Sequence, residues 1–329
     1  MEIWRSSQDI TDLAGSVVTI GIFDGVHRGH LEILRETVRQ ARVRSLRSVA
    51  LTFDPHPQHV HNPTMPIPLI STLEERLSRL EAAGIDVVYV QNYSLEYAQL
   101  TPEEFITQEL IGKLHAKAVV IGADNRFGRN NSGDGKFLKF FGEQNGLDVT
   151  LISDIGDNAG RRFSSTWIRE LIDSGNVRQA AEILGRPHRL TGVVQHGFKR
   201  GRELGFPTAN LPGEGIGEVP ADGVYAGWLV RSTPGSTATV YLPAAISIGT
   251  NPQFAGKSRT VEAHVLGRAD LNLYGEEIAI EFVEYVRPML KMRNVAELQA
   301  QMDDDLRSVA GILGVPVSYR VNPAEVTAS

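Results

Sequence analysis

In the first half of this 329-residue chain, short apolar runs alternate with amphipathic segments, and that alternation leaves few folds open. The runs VVTIGIF (Val17–Phe23), SVALTF (Ser48–Phe53), DVVYV (Asp86–Val90), KAVVIG (Lys117–Gly122) and VTLI (Val149–Ile152) are apolar enough to be covered on both faces. Helical-period stretches such as HLEILRETVRQARV and TLEERLSRLEAAG separate them. Strands buried on both faces and joined by helical crossovers make a parallel sheet, and right-handed crossovers make it doubly wound. Ligands of such sheets bind beyond the carboxyl ends of the strands.

After LGRPHRL (Leu184–Leu190) the texture changes. RLTGVVQ, GVYAGWLV, ATVYLPAAISIG, RTVEAHVL and EIAIEFVEYV are strand-like and broken by Gly, Pro and Asn, the pattern of an antiparallel sheet or small barrel. RSTPGSTATV reads as a hairpin tip, and a closing helix is predicted from about Val295 to Leu313. With Pro187 as a hinge, the expected division is 1–185 and 186–329, an α/β domain followed by an antiparallel β-barrel.

The absence of cysteine excludes disulfides, thiolate nucleophiles and cysteine-ligated metal. No run of 18 apolar residues occurs and MEIWRSSQDITD lacks the basic-then-apolar order of a leader, so a cytoplasmic chain with no membrane partner is expected. A net charge of −6 argues against nucleic acid as a partner. Arg35, Arg39, Arg42, Arg44 and Arg47 read as a solvated helical face. Small-molecule substrates are expected, and a weak homo-oligomer is left open.

GIFDGVHRGH carries the first chemical signal: Gly21, Gly25 and Gly29 punctuate a strand, a turn and a helix start, with His27 and His30 beside the helix mouth. Unpaired N–H groups and the helix dipole favour an anion there, and imidazoles can donate to phosphate oxygens as charge grows in a displacement at phosphorus. Capping or surface histidines are the plainer alternative. Farther on, Ser164, Ser165 and Thr166 can cap a helix and bond phosphate, with Arg169 a turn later as a fixed cation. His56, His59 and His61 raise a metal reading, but Pro55, Pro57 and Pro63 imply a rigid extended loop beside Phe53, better suited to a flat ring system.

These segments resemble, in order, the motifs of the prokaryotic bifunctional FAD synthetases: the GxFDGxHxGH form of the HxGH nucleotidylyltransferase signature, LTFDPHP, VVIGADNRFG and FSSTWIREL. The resemblance implies a Rossmann-like FMN adenylyltransferase domain in which His27, His30 and Arg169 are catalytic. Gly21, Phe23, Asp24, Gly29, Ser164, Ser165 and Thr166 would bind ATP. Phe53, Pro55, His56, Pro57, Asn62, Asp124, Asn125 and Phe127 would meet the flavin. Asn125 stands where an aromatic residue is common in the family, and Phe127 is the alternative packing partner.

GFPTANL carries the second signal. Thr208 and Asn210 share a face of an extended chain, and their hydroxyl and amide oxygens are hard neutral ligands suited to Mg²⁺ already matched by ATP phosphates. A plain strand entrance would explain the same residues. The preceding QHGFKRGRELG is glycine-rich and basic, able to cover phosphates, without being a Walker A loop. In RTVEAHVL, Val261, Ala263 and Val265 should face inward, with Glu262 and His264 on the opposite face, where a carboxylate could accept an alcohol proton. These segments, with GTNPQF and PADGVYAGWL, resemble the riboflavin kinase module of the same family. The resemblance implies Thr208 and Asn210 as Mg²⁺ and ATP ligands, Gly197, Lys199 and Arg202 as an ATP flap, Glu262 as general base and Arg287 on the flavin side. Departures stand at Phe198, Leu290 and Met292, and the last two, with Asn125, leave open a single-activity enzyme. A flavin-binding regulator would need neither His30 nor Glu262. The implied cofactors and substrates are Mg²⁺, ATP, riboflavin, FMN and FAD.

Overall fold

The structure, a computed structural model, describes residues 1–10, 13–157, 159–196, 204–232, 238–250 and 259–325. Their contacts form two compact units, Met1–Pro68 with Leu73–Ser165, and Leu69–Thr72 with Thr166–Ser329. The sequence-based division lies at 185/186. The helices α6 (Ser165–Asp173) and α7 (Val177–Leu184) between the two divisions group almost wholly with the second unit: Val177 belongs to its core and Ala221 N–H donates to Ile172 O at 3.1 Å.

In the first unit, strands β1 (Glu2–Trp4), β2 (Ser16–Ile20), β3 (Arg47–Phe53), β4 (Val87–Gln91), β5 (Ala116–Gly122) and β8 (Asp148–Ile152) form a parallel sheet in the order β1-β4-β3-β2-β5-β8. The short strands β6 (Arg126–Phe127) and β7 (Gly133–Asp134) pair separately. β1 is an edge strand on β4 that the charged N-terminus did not announce. Alternate residues supply alternate faces, as pleating requires. Val18, Ile20, Val49, Leu51, Val119 and Ile121 pack with Phe105, Leu110 and Leu138, from the π-helical Phe105–Lys113 that continues α4 (Pro102–Glu104) and from α5 (Gly135–Gln144). Ala50, Val88 and Val90 pack with Leu34 and Val38 of α1 (Arg28–Arg44) and Leu77 and Leu80 of α3 (Leu73–Ala82). Helices on both faces explain why the strands are apolar throughout. Strand order reverses at the β2–β5 boundary, where an open sheet leaves a crevice for a ligand. The arginine run is only in part a helical face: Arg35, Arg39 and Arg44 lie on α1 and pair with Glu32, Glu36 and Asp148, whereas Arg47 opens β3 and pairs with Glu2.

The second unit is an antiparallel sheet ordered β10-β13-β12-β11-β14-β9, from β9 (His188–Val193), β10 (Ala209–Pro212), β11 (Gly223–Ser232), β12 (Thr239–Thr250), β13 (Arg259–Val265) and β14 (Glu277–Arg287). A bridge between Gln195 and Asn210 nearly closes it into a barrel. Val261, Ala263 and Val265 fill the interior with Leu190, Leu211, Ile246 and Ile280, as their alternation predicts. β11 and β12 pair out to Ser232 and Thr239, the two arms of the expected hairpin.

The closing helix α8 (Val295–Leu313) lies where the periodicity put it, capped by Asn294, whose Oδ1 accepts from Glu297 N–H, and ended by left-handed Gly314. Leu306, Val309 and Ala310 cover Phe206, Ala226 and Leu266 on the barrel's outer face. A two-pronged pair of Arg287 with the buried Asp305 pins it, at 2.7 and 2.6 Å. Removing one partner of such a pair strands a buried charge, so Asp305→Ala should lower the stability of this unit by about 3 kcal/mol in urea unfolding. An unchanged midpoint would show that the pair holds nothing.

Candidate active sites

β2 ends at Ile20, earlier than the apolar run suggests, because the chain turns out of the sheet. Asn125, just past β5, donates its side-chain N–H to Ile20 O at 2.8 Å. Phe23 and Val26 adopt left-handed φ of 53° and 40°, a conformation that non-glycine residues hold only when packing overrules it. Phe23 is fully buried and its ring lies over Gly21, where an added Cβ would come within 2.9 Å of it. The turn is thereby clamped from within.

His27 is the N-cap of α1, and its Nδ1 accepts from His30 N–H at 3.3 Å. The ring must fold back over Gly29 to do so: a Cβ at Gly29 would lie 3.1 Å from two of its atoms, which is why a glycine separates the histidines. The imidazoles stack with centroids 3.7 Å apart and planes 18° from parallel, while Phe23 meets His30 edge-on at 5.3 Å. Capping and the anion reading are therefore compatible, since one ring caps and the other stacks on it.

Burial first, then repulsion from His27 and Arg162, hold His30 well below the usual imidazole range, so it is neutral near pH 7. Its Nδ1 is buried and, among the described residues, has no partner. A neutral imidazole at a helix mouth can form a directed hydrogen bond to a phosphate oxygen while the helix N–H groups supply the field.

Within the same unit, Ser165 Oγ donates to Asp24 O at 2.9 Å, so this serine ties its segment to the turn after β2. Ser164 precedes it. Thr166 and Arg169 lie on α6 among the residues grouped with the second unit. Arg28 stacks over Phe163 at 5.3 Å. Arg162, which the motif reading did not select, pairs with Asp124 and reaches Asp154 at 3.5 Å, so Asp124 is held in an ion pair.

The loop after β3 differs from expectation. Residues Pro57–His61 form a short helix, α2, where an extended loop was expected: Pro57 occupies a first-turn position that has no N–H to satisfy, and His56 Nδ1 accepts from Gln58 N–H at 3.0 Å. His59 Nε2 meets Ile67 O at 2.7 Å and His61 Nε2 meets Tyr93 Oη at 3.0 Å, so the three histidines serve three separate contacts. Asn62 ends the helix, and Pro55 lies between Phe53 and its start. Phe53 and Phe127 are brought into one aromatic row through Tyr97 and Phe105, with centroid distances of 6.2, 6.5 and 5.4 Å, and Tyr93 meets Phe53 edge-on. Asn125, turned to the Ile20 carbonyl, supports the turn after β2 in place of packing in that row. Tyr93 and Tyr97 carry no motif, which is why the sequence passed over them.

In the second unit, Asn210 and Glu262 are cross-strand partners on β10 and β13. Thr208 Oγ1 donates to Glu262 Oε2 at 3.3 Å, and Asn210 Nδ2 donates to Thr208 Oγ1 at 3.2 Å. Ser247 is the partner of Glu262 on β12. Burial pushes the Glu262 carboxyl up, and the Thr208 hydroxyl opposes that in part. A carboxylate beside two neutral oxygens is a hard-ligand set that fits a magnesium-bound phosphate chain. Among the described residues no three His, Cys, Asp or Glu side chains group as a metal site, so any ion here leans on neutral oxygens and phosphate. Arg287 is committed to Asp305. The flap candidates Gly197, Lys199 and Arg202, with Phe198, and residues 251–254 of GTNPQF lie outside the described residues.

A family model described as FAD synthetase matches residues 9–167, and one described as riboflavin kinase matches residues 184–313. The chain is 33% identical to a bifunctional riboflavin kinase/FMN adenylyltransferase of Listeria monocytogenes, over 91% of this chain and 93% of the relative. It is 34% identical to that of Escherichia coli, over 88% and 90%. A crystal structure described as a macrolide-efflux protein from Streptococcus pneumoniae superposes with a TM-score of 0.83 at 32% identity, covering 93% of this chain and 97% of the other.

The lowered His30 imidazole has a consequence for stability. The unfolded chain takes up a proton near pH 6.5 and the folded one resists it, so stability should fall as pH drops below that value, by at most about 1.4 kcal/mol per pH unit from this group. In urea unfolding between pH 7.5 and 5, His30→Asn should have a shallower slope than the native protein; equal slopes would mean that His30 titrates normally.

Proposed function

The chain belongs to the bifunctional riboflavin kinase/FMN adenylyltransferase family, converting riboflavin to FMN and FMN to FAD with ATP, and we propose that its two phosphate-handling clusters divide these reactions. The adenylylation site would be the helix mouth at His27 and His30, within residues 1–185, and the kinase site the Thr208–Asn210–Glu262 group, within 186–329. What supports this reading is that two chemically different polar clusters, His27 with His30 and Thr208 with Asn210 and Glu262, lie in separately packed units, each inside the stretch matched by the corresponding family model.

For the kinase reaction, the ribityl 5′-hydroxyl oxygen bonds to the γ-phosphorus of ATP, the bridging oxygen leaves with ADP, and the hydroxyl proton passes to Glu262. Thr208 and Asn210 would hold Mg²⁺, which supplies charge neutralisation to the phosphates when bound. The Thr208 hydroxyl already orients the carboxylate. For adenylylation, an FMN phosphate oxygen bonds to the α-phosphorus of a second ATP and pyrophosphate leaves. This step needs positioning and charge stabilisation and no covalent nucleophile, consistent with a cluster of imidazole and helix N–H donors. Gly21, Phe23, Asp24, Gly29, Ser164 and Ser165 would surround the nucleotide. The row from Phe53 to Phe127, with Pro55, His56, Pro57, Asn62, Asp124 and Asn125 alongside, would border the flavin.

The reading extends to a cytoplasmic enzyme of small molecules that engages no nucleic acid or membrane, with a weak homo-oligomer left open; its net charge is −6 and no helix among the described residues is long and apolar enough to cross a membrane. The efflux activity in the streptococcal protein's name is not carried over, because the motifs in both halves match flavin-nucleotide enzymes.

His30→Ala should slow FAD formation from FMN by about 10²- to 10³-fold, the cost of one lost transition-state donor, and leave riboflavin phosphorylation intact. Glu262→Ala should abolish FMN formation from riboflavin and spare FAD formation from supplied FMN. Chromatography of flavins after incubation with ATP, Mg²⁺ and either riboflavin or FMN reads both. Wild-type adenylylation in the first variant, or loss of both activities in a folded second variant, would overturn the assignment.

A further inference from the structure

On α3, Leu73, Arg76, Leu77 and Leu80 occupy the i, i+3, i+4 and i+7 positions of one face. That face packs into the core, yet it contains an arginine whose residue is 2% exposed. Burying a guanidinium is costly unless it is well bonded, and a leucine would satisfy the helix. Burial lowers its basicity, while Asp24, Asp54 and Glu74 favour its charge. The charge must therefore serve something the apolar pattern does not.

Its partners are main-chain groups at the mouths of two strands. Nη1 donates to Ile22 O at 2.9 Å and Phe53 O at 3.2 Å, and lies 3.3 Å from Thr52 Oγ1, which itself donates to Ile22 O at 3.0 Å. Ile22 precedes the left-handed Phe23 of the phosphate turn, and Phe53 is the last residue of β3, where the candidate flavin loop begins. Nε is buried without a hydrogen-bond partner among the described residues, so the side chain is placed for its Nη1 contacts at the expense of another donor.

We propose that Arg76 is a positioning residue for adenylylation, fixing the start of the ATP turn against the start of the flavin loop so that the FMN phosphate meets the α-phosphorus in line. The inference rests on the assignment of that reaction to the first unit. Neither loop is bonded to the other through this nitrogen once the side chain is removed, and a displacement of about 1 Å between reacting groups costs roughly 10²-fold in rate.

In the full chain, Arg76→Met should lower kcat for FAD formation by about 10²-fold, with the KM values for ATP and FMN each changed by less than about threefold and riboflavin phosphorylation unchanged. Arg76→Lys should recover at least about tenfold of that loss, because an ammonium carries three N–H donors for the same three acceptors. A wild-type kcat in folded Arg76→Met, a loss confined to KM, or equal losses in Met and Lys variants would overturn the proposal. Should Arg76→Met not fold, Arg76→Gln decides: a kcat loss per folded molecule, measured against thermal unfolding, supports positioning, and a wild-type value refutes it. His30→Ala serves as the control. If it is impaired while Arg76→Met is normal, only the positioning role fails; if both are normal, the site assignment itself fails.

Discussion

A strand that leaves a parallel sheet exposes carbonyls whose next partners the sheet cannot supply, and in this protein side chains take over that duty. Ile20 O accepts from Asn125, and Ile22 O accepts from Thr52 and Arg76. Buried carbonyls without partners cost free energy comparable to a lost hydrogen bond, so these side chains are what allow β2 to end in a tight, left-handed turn. The helix mouth, the stacked histidines and the glycine between them all follow from where that turn points α1.

On the proposed reading the two halves would hold a triphosphate by different physics. In the first, the turn and cap would set helix N–H groups and a neutral imidazole to donate to phosphate oxygens. In the second, two strands place a hydroxyl, an amide and a carboxylate side by side, because Asn210 and Glu262 are cross-strand partners and Thr208 lies two residues along the chain. A helix mouth favours anions by itself. A strand pair has little dipole, so a triphosphate there would be matched by an added cation, and the oxygens are of the hard kind that magnesium accepts.

Much of this was legible because periodicity and short motifs are local. β3, β4, β5 and β8 of the first sheet, the hairpin arms out to Ser232 and Thr239, the inward face of RTVEAHVL and the span of α8 stand where the pattern put them, while β2 stops short at Ile20. What was hidden depends on partners far along the chain. Pro57–His61 coils into a helix because His56 caps it, Asn125 turns to a carbonyl 105 residues earlier, and Arg287 is taken up by Asp305. Arg76 left one trace, a charge on an apolar helix face, but the residues it grips cannot be read from that helix. The aromatic row from Phe53 to Phe127 passes through Tyr97 and Phe105, which belong to no motif.

The sequence alone determined the two-domain character, the parallel and antiparallel sheets, and the residue types available for phosphate chemistry, because hydrophobic period and backbone-turn preference act over a few residues. Tertiary structure decided which of those residues meet, which histidine caps and which stays neutral, and which cations are spent on holding the frame. Those outcomes depend on burial and on contacts between segments distant in the chain, and both arise only once the sheets have closed around their cores.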